Sequence, residues 1–220
     1  MKSTSKMKAS GGADKQGPDR RPSRGSSRNG LSTAELLKKE AARLFSTKSY
    51  GDTTTREIAD SIGINKASLY HHMETKEELL VDLCLEAVTN IYQDTRAAVE
   101  ATTEPLPRLK ALIGAHLSSQ FRDHDIHMTM LFELRVLPPK VQRRIIRHRD
   151  KYESFVRSVL DEAVEAGVLR TDIDSRYLAL SLLDLLNWSQ MWFHPASTLT
   201  ADELGDLFYT LFIEGAGKAD

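Results

Sequence analysis

Between Thr53 and Leu80 the chain reads TTTREIADSIGINKASLYHHMETKEELL: two short segments hinged at a glycine, each opened by a capping residue, then a third cap before a long apolar-periodic run. Thr54 and Glu57 have capping-box spacing, a hydroxyl to meet an orphan amide and a glutamate to reach back. A helix is therefore predicted to start at Thr54, with Ile58, Ala59 and Ile62 as its buried stripe. Gly63, free to turn left-handed without a Cβ penalty, ends it. Asn65 caps the next segment, Lys66 to His72, which has room for about two turns. Leu69 and Met73, four apart, face inward. Lys66, Ser68, Tyr70 and His71 then project outward, with Ala67 beside them. A narrow element presenting donors, acceptors and a flat ring near its N-terminus is what reading base edges in a major groove requires. Thr75 and Glu78 repeat the capping-box spacing, and the amides they open, beside Lys76, offer a phosphate site.

The rest of the chain carries helical periods. A helix from about Thr33 places Leu36, Leu37, Ala41, Leu44 and Phe45 on one face. A long one follows from Thr75 to about Glu100, linking head to body, and Thr102 to Pro107 interrupts it. Helix 5 carries Leu109 to Phe121; a turn is predicted at Asp123 to Ile126, then a short helix through Met128, Met130 and Phe132. Helix 7 runs from about Lys140 to Ala166, with Gly167 as its stop. Helix 8, from Asp174 to Phe193, is apolar nearly all round and is closed by His194-Pro195. Helix 9 opens on a capping box at Thr200 and Glu203. No segment alternates convincingly as a strand, so the predicted fold is all-α: an N-terminal three-helix helix-turn-helix domain over 31–78 and a helical ligand-binding and dimerisation domain over 79–220. Residues 1–30 hold no aromatic residue and almost nothing to bury, and read as a disordered basic tail. The tail either follows phosphates or a minor groove, or is only a solubilising leader.

The run from Leu31 to Leu80 resembles the N-terminal domain of the TetR family of transcriptional regulators, through Ala42, Phe45, Tyr50, Thr54, Ile58-Ala59, Gly63-Ile64, Lys66, Leu69-Tyr70-His71-His72 and Lys76-Glu-Glu-Leu79. The resemblance implies that Lys66, Ser68, Tyr70 and His71 meet DNA and that Thr54 and Lys76 hold phosphates. Ser49 stands where a glycine is usual and Met73 where a phenylalanine is usual. The segments Leu169 to Asp174, Trp188 to Pro195 and Leu199-Thr200 are similar to repressors of sterol-ring and fatty-acid catabolism within that family, which answer to CoA thioesters.

Formal net charge is −1. Residues 1–80 hold 15 Lys+Arg against 10 Asp+Glu, a net of +5, and residues 81–220 hold 15 against 21, a net of −6. The basic end is the predicted DNA end, although the first thirty residues supply most of the excess. Helices 8 and 9 have more apolar surface than one bundle needs, and a two-fold interface between protomers accounts for it. Two heads then meet half-sites on double-stranded operator DNA. A cavity suited to a small apolar effector is expected among the methionines and aromatics of the body: Phe121, Met128, Met130, Phe132, Tyr152, Phe155, Trp188, Met191 and Trp192. Ordinary core packing explains the same residues. Arg147, with Arg143, Arg144 and Arg149, forms a basic cluster that suits phosphate, which makes an acyl-CoA a candidate effector; a solvated charged face is the plainer account.

His116, His124 and His127 do not bring three ligands onto one helical face, so no metal is expected, and no cofactor. No Gly-rich phosphate loop, HExxH or nucleophile elbow is present, and an enzyme is not expected. A single cysteine, Cys84, and no signal-peptide-like run fit a cytoplasmic protein. Ser181, Asp184, Asn187 and Gln190 interrupt the most apolar stretch, which is not read as a membrane span. The alternative reading is a helical small-molecule binding protein whose head contacts protein rather than DNA.

Overall fold

Side-chain caps set where most of the helices begin. In the computed structural model, which describes residues 30–193 and 199–217, Ser32 and Glu35 close a reciprocal capping box at the start of α1 (Thr33–Lys48). Thr54 and Glu57 do the same for α2 (Thr55–Ile62), and Thr200 and Glu203 for α9 (Ala201–Ala216). Asn65 Oδ1 accepts from Ser68 N at 2.8 Å and opens α3 (Lys66–Leu69). Thr75 Oγ1 accepts from Glu78 N at 3.0 Å, half of the predicted box, at the start of α4 (Lys76–Glu100). The remaining helices are α5 (Pro105–Arg122), α6 (His124–Glu133), α7 (Pro139–Glu165) and α8 (Ser175–Ser189), with a 3-10 turn at Leu134–Val136. Among the described residues no strand forms beyond an isolated bridge between Leu169 and Gly217. The tail and the His194-Pro195 stop lie outside the described residues, apart from Gly30.

Three boundaries differ from the sequence reading. The recognition segment is helical only to Leu69, because the amides of His71 and His72 bond three residues back, to Ser68 O and Leu69 O, and tighten the chain into a turn. The turn predicted at Asp123 to Ile126 is instead the first turn of α6, with His127 N bonded to Asp123 O at 3.1 Å. Helix α8 ends at Ser189, four residues short, and Met191 to Phe193 fold back in turns.

Two hydrophobic cores result. The first joins Leu37, Ala42 and Phe45 of α1, Ile58 and Ala59 of α2, Leu69, Met73, and Leu79 to Cys84 of α4, and it also takes in Leu137 and Ile145. The head is thus packed onto the start of α7. Cys84 is buried here, and burial pushes its thiol up to about 12. The second core gathers Ile91 and Val99 of α4, Leu109 to Leu117 of α5, Tyr152 to Ala163 of α7, and the inner faces of α8 and α9. No helix of the described residues is long and apolar enough to cross a membrane.

Ser49 follows α1 with φ 82° and ψ 154°, and it is the one non-glycine residue with positive φ among those described. That region of backbone space is essentially glycine's and costs about 1–3 kcal/mol for another residue. Ser49 Oγ recovers part of the cost through Asp52, at 3.1 Å to Oδ2 and 3.3 Å to the amide. Ser49→Gly is expected to stabilise the fold by about 1 kcal/mol, raising Tm by roughly 2–4 °C in a calorimetric scan. An unchanged or lower Tm would show that the hydroxyl outweighs the strain.

Candidate nucleic-acid interface and effector cavity

The head presents its polar row at one end of the molecule. Lys66, Ala67, Tyr70 and His71 are exposed and Ser68 is half-buried, while Leu69 and Met73 behind them are buried. Tyr70 is 46% exposed, with Lys66 Nζ 5.9 Å from its ring centroid. Nothing within the head consumes this row. Thr54 and Lys76 are differently placed. The Thr54 hydroxyl donates to Glu57 Oε2 at 2.9 Å and accepts from Glu57 N at 3.2 Å, so its proton is already engaged. Bonds from Lys48 and then from Thr54 hold the Glu57 carboxyl down at about 2. Lys76 Nζ donates to Tyr50 O at 2.8 Å and Thr53 O at 2.7 Å, and lies 4.2 Å from the Tyr50 ring centroid. It ties the first turn of α4 to the loop before α2 and has one proton left for a phosphate.

A second site lies in the body, where α4, α6, α7 and α8 enclose a cavity of about 110 Å³. Val88, Ile91, Met130, Leu131, Leu180 and Leu183 supply its apolar wall; His127, Tyr152, Asn187 and Gln190 supply polar atoms, and Arg149, Glu153 and Asp184 complete the lining. Behind Tyr152 runs a buried chain of hydrogen bonds whose polarity can be worked out. Gln120 Nε2 donates to Leu186 O at 3.2 Å, which points Gln120 Oε1 at His116 Nε2, 3.0 Å away. The Nε2 atom must therefore carry the proton. His116 Nδ1 then accepts from the Tyr152 hydroxyl at 2.7 Å, and Thr95 Oγ1, at 3.3 Å, donates to the same oxygen. Burial, with His127 nearby, pushes His116 down to about 3, in keeping with the neutral ring this chain needs. Burial likewise pushes His127 down to about 4. Its Nε2 and Gln190 Oε1 are both buried and have no hydrogen-bond partner among the described residues.

Of the residues expected around an effector, Met130 and Tyr152 line this cavity, with Arg149 of the basic cluster, and the others do not. Phe121 stacks on Phe193 with ring centroids 4.4 Å apart, and Phe155 packs against Tyr92 at 5.5 Å. Met128 and Phe132 are half-buried on another face of α6, one residue out of phase with His127 and Leu131. Trp188 and Trp192 point outward, 58% and 53% exposed. Arg147, with Arg143 and Arg144, lines a groove between α7, the start of α4 and Tyr70 to Met73 of the head. Among the described residues no group of three or more His, Cys, Asp or Glu is placed to hold a metal.

This arrangement has close counterparts. Residues 37–83 match the model of bacterial regulatory proteins of the tetR family, and residues 102–216 match that of the tetracyclin repressor-like C-terminal domain. The chain belongs to the TetR family. The HTH-type transcriptional repressor KstR2 of Mycobacterium tuberculosis is 30% identical over 185 residues, covering 84% of this chain and 92% of KstR2. The structure of that ketosteroid regulator superposes with a TM-score of 0.79 at 28% identity, over 86% of this chain and 96% of the other. PfmR from Thermus thermophilus, a TetR-family regulator, gives 0.75 at 31% identity, over 81% and 97%. AibR, solved in complex with isovaleryl coenzyme A and operator DNA, gives 0.73 at 26%, over 81% and 96%.

Within this TetR-type body, sequence reasoning passed over His127, Asn187 and Gln190 as lining residues. A signal existed: Asn187 and Gln190 break an apolar run, and polar residues in such a place need partners. The two buried histidines also make the fold pH-sensitive. Below the usual 6.5 an unfolded chain protonates both, whereas the folded chain resists down to about 3 and 4. Their folded values are depressed, so the stability they permit is whole above pH 6.5 and is lost as pH falls, unfolding taking up close to two protons near pH 5. His116→Gln should remove about one of them, giving a shallower slope of Tm against pH between 6.5 and 4. Parallel slopes for variant and wild type would contradict the neutral assignment.

Proposed function

We propose that this TetR-family regulator acts as a homodimeric repressor that reads operator DNA with Lys66, Ala67, Ser68, Tyr70 and His71 and lets go when a small effector enters the α4, α6, α7 and α8 cavity. It acts by binding rather than catalysis, in the cytoplasm. The observation that carries the ligand response is the position of α6. One face of this helix lines the cavity through His127, Met130 and Leu131. Its other contacts hold the head: Thr129 Oγ1 donates to Ala42 O at 3.1 Å, Ser46 Oγ bonds Asp125 Oδ1 at 2.7 Å, and Ile126 and Met130 pack against the head core. An effector that displaces α6 therefore moves α1, and with it the recognition row. Weakening DNA binding 100-fold requires only about 2.7 kcal/mol of coupling. Thr54 and Lys76 keep a share in phosphate contact, beyond the bonds they make inside the head.

The dimer interface assigned here is the outer face of α8 and α9. Tyr177, Trp188, Met191, Trp192, Leu207 and Leu211 are exposed on it, a run of large apolar side chains that a lone protomer would leave in water. Trp188 and Trp192 belong to this face rather than to the effector. An acyl-CoA is the effector class favoured: AibR was solved with one, KstR2 is a ketosteroid regulator, and Arg149 lines the cavity while Arg143, Arg144 and Arg147 form no ion pair among the described residues.

Two outcomes test the reading. Wild-type protein should enrich a defined two-fold motif from a pool of randomised duplexes. Tyr70→Ala should lose about 5- to 150-fold in affinity for that motif, the range of one good base contact, while remaining a dimer. If the variant enriched the same motif with the same affinity, α3 would not be the reading element. Trp188→Glu should convert the dimer to monomer in analytical ultracentrifugation and lower operator affinity, since two half-sites can no longer be held together. A dimer of undiminished affinity would place the interface elsewhere.

A further inference from the structure

We infer that the effector presents a neutral hydroxyl group to the deep end of the cavity, held between His127 Nε2 and Gln190 Oε1. The inference rests on the cavity being the effector site and goes further, to the chemistry of the group that fills it. Both side chains are more than nine-tenths buried, at 3% and 4% exposure; both residues line the cavity, and each carries a buried polar atom with no partner among the described residues. Buried polar atoms are almost always paired, so two orphans on residues that line one cavity mark the place where a partner is supplied from outside.

The rest of the lining narrows that partner. Tyr152 has spent its proton on His116, and of the lining residues only His127 and Gln190 carry a buried polar atom without a partner among the described residues. A pure hydrocarbon would leave both desolvated and unmatched. A carbonyl accepts but cannot donate, and so serves one of them. A carboxylate would meet Glu153 and Asp184 against the single cation Arg149. A hydroxyl donates and accepts at once: it gives its proton to Gln190 Oε1 and takes one from His127 Nε2–H. His127 is neutral and can serve either way. A volume of about 110 Å³ is less than the roughly 150 Å³ that accommodates benzene, so it takes an end group rather than a whole acyl-CoA or sterol. A hydroxylated acyl or ring end fits the space and the polarity together.

The test uses the full-length dimer and two probes of nearly equal shape, small enough for this cavity, 2-propanol and 2-chloropropane, titrated while the side-chain nitrogen resonances of His127 and Gln190 are followed by NMR. 2-Propanol should bind about tenfold more tightly although 2-chloropropane is the more apolar, a ratio that one satisfied pair of buried groups supplies. In Gln190→Leu the preference should vanish or reverse, with Tm equal to or above wild type because an orphaned polar atom has been removed. Equal binding of the two probes, or tighter binding of the chloride, overturns the hydroxyl while leaving the cavity as the effector site. Failure of both probes to perturb any cavity residue overturns the cavity reading and the hydroxyl with it. A lower Tm in Gln190→Leu overturns the inference as well, since it would give Gln190 a structural task.

Discussion

Helix α4 contributes side chains to both hydrophobic cores: Leu79, Leu80, Leu83 and Cys84 at one end, Ile91 and Val99 at the other. A 25-residue helix extends about 37 Å, and its backbone bonds make it stiff along that length. Neither core can rotate about the other without stripping apolar area from this rod. The capped start at Thr75 and the Lys76 ammonium, lodged on two carbonyls of the loop before α2, fix the rod to the reading head at its very first turn. Helix α7 ties the two cores a second time, through Ile145 in the first and Tyr152 to Ala163 in the second, so what remains adjustable is the shorter strut between the head and the cavity.

That strut is α6, and its contacts explain why it can move where α4 cannot. It is only ten residues long, opens without a side-chain cap bond, and runs into a 3-10 turn before Pro138 and Pro139. Its hold on the head is a few hydrogen bonds and a partial share of the core, not the whole of a buried stripe. Short elements with weak termini sit at the low-stability end of a structure, where ligand-driven shifts are drawn from. The unsatisfied Nε2 of His127 lies on the same helix, so whatever satisfies it also bears on the position of α6.

Legibility in the sequence divides by range. Caps and periods are local, and Thr54, Asn65, Thr75 and Thr200 all take the positions that their spacing demands. The exposed row on α3 follows from the same spacing, because Leu69 alone decides which side turns inward. Ser49 was legible only through the family resemblance, which puts a glycine at that position, and the backbone there does take a positive φ. The cavity was not legible, since it depends on how four helices are rotated relative to one another. One residue of phase moves Met128 and Phe132 off the lining and puts His127 and Leu131 on it. Trp188 and Trp192, the most conspicuous aromatics in the chain, are turned outward because Leu182, Leu186 and Ser189 take the inner face of α8. Apolar character alone does not distinguish a wall of a cavity from a face awaiting a partner.

The single thiol of the chain has a practical meaning of its own. Cys84 sits sealed in the head core with its ionisation pushed up to about 12, so almost no thiolate exists at neutral pH and thiolate is the form that reacts. Oxidants and alkylating reagents can reach it only through an opening of that core. The rate at which a maleimide labels the native protein therefore reports how often the reading head comes apart, without any engineered probe, and it would register whether operator or effector holds that core shut.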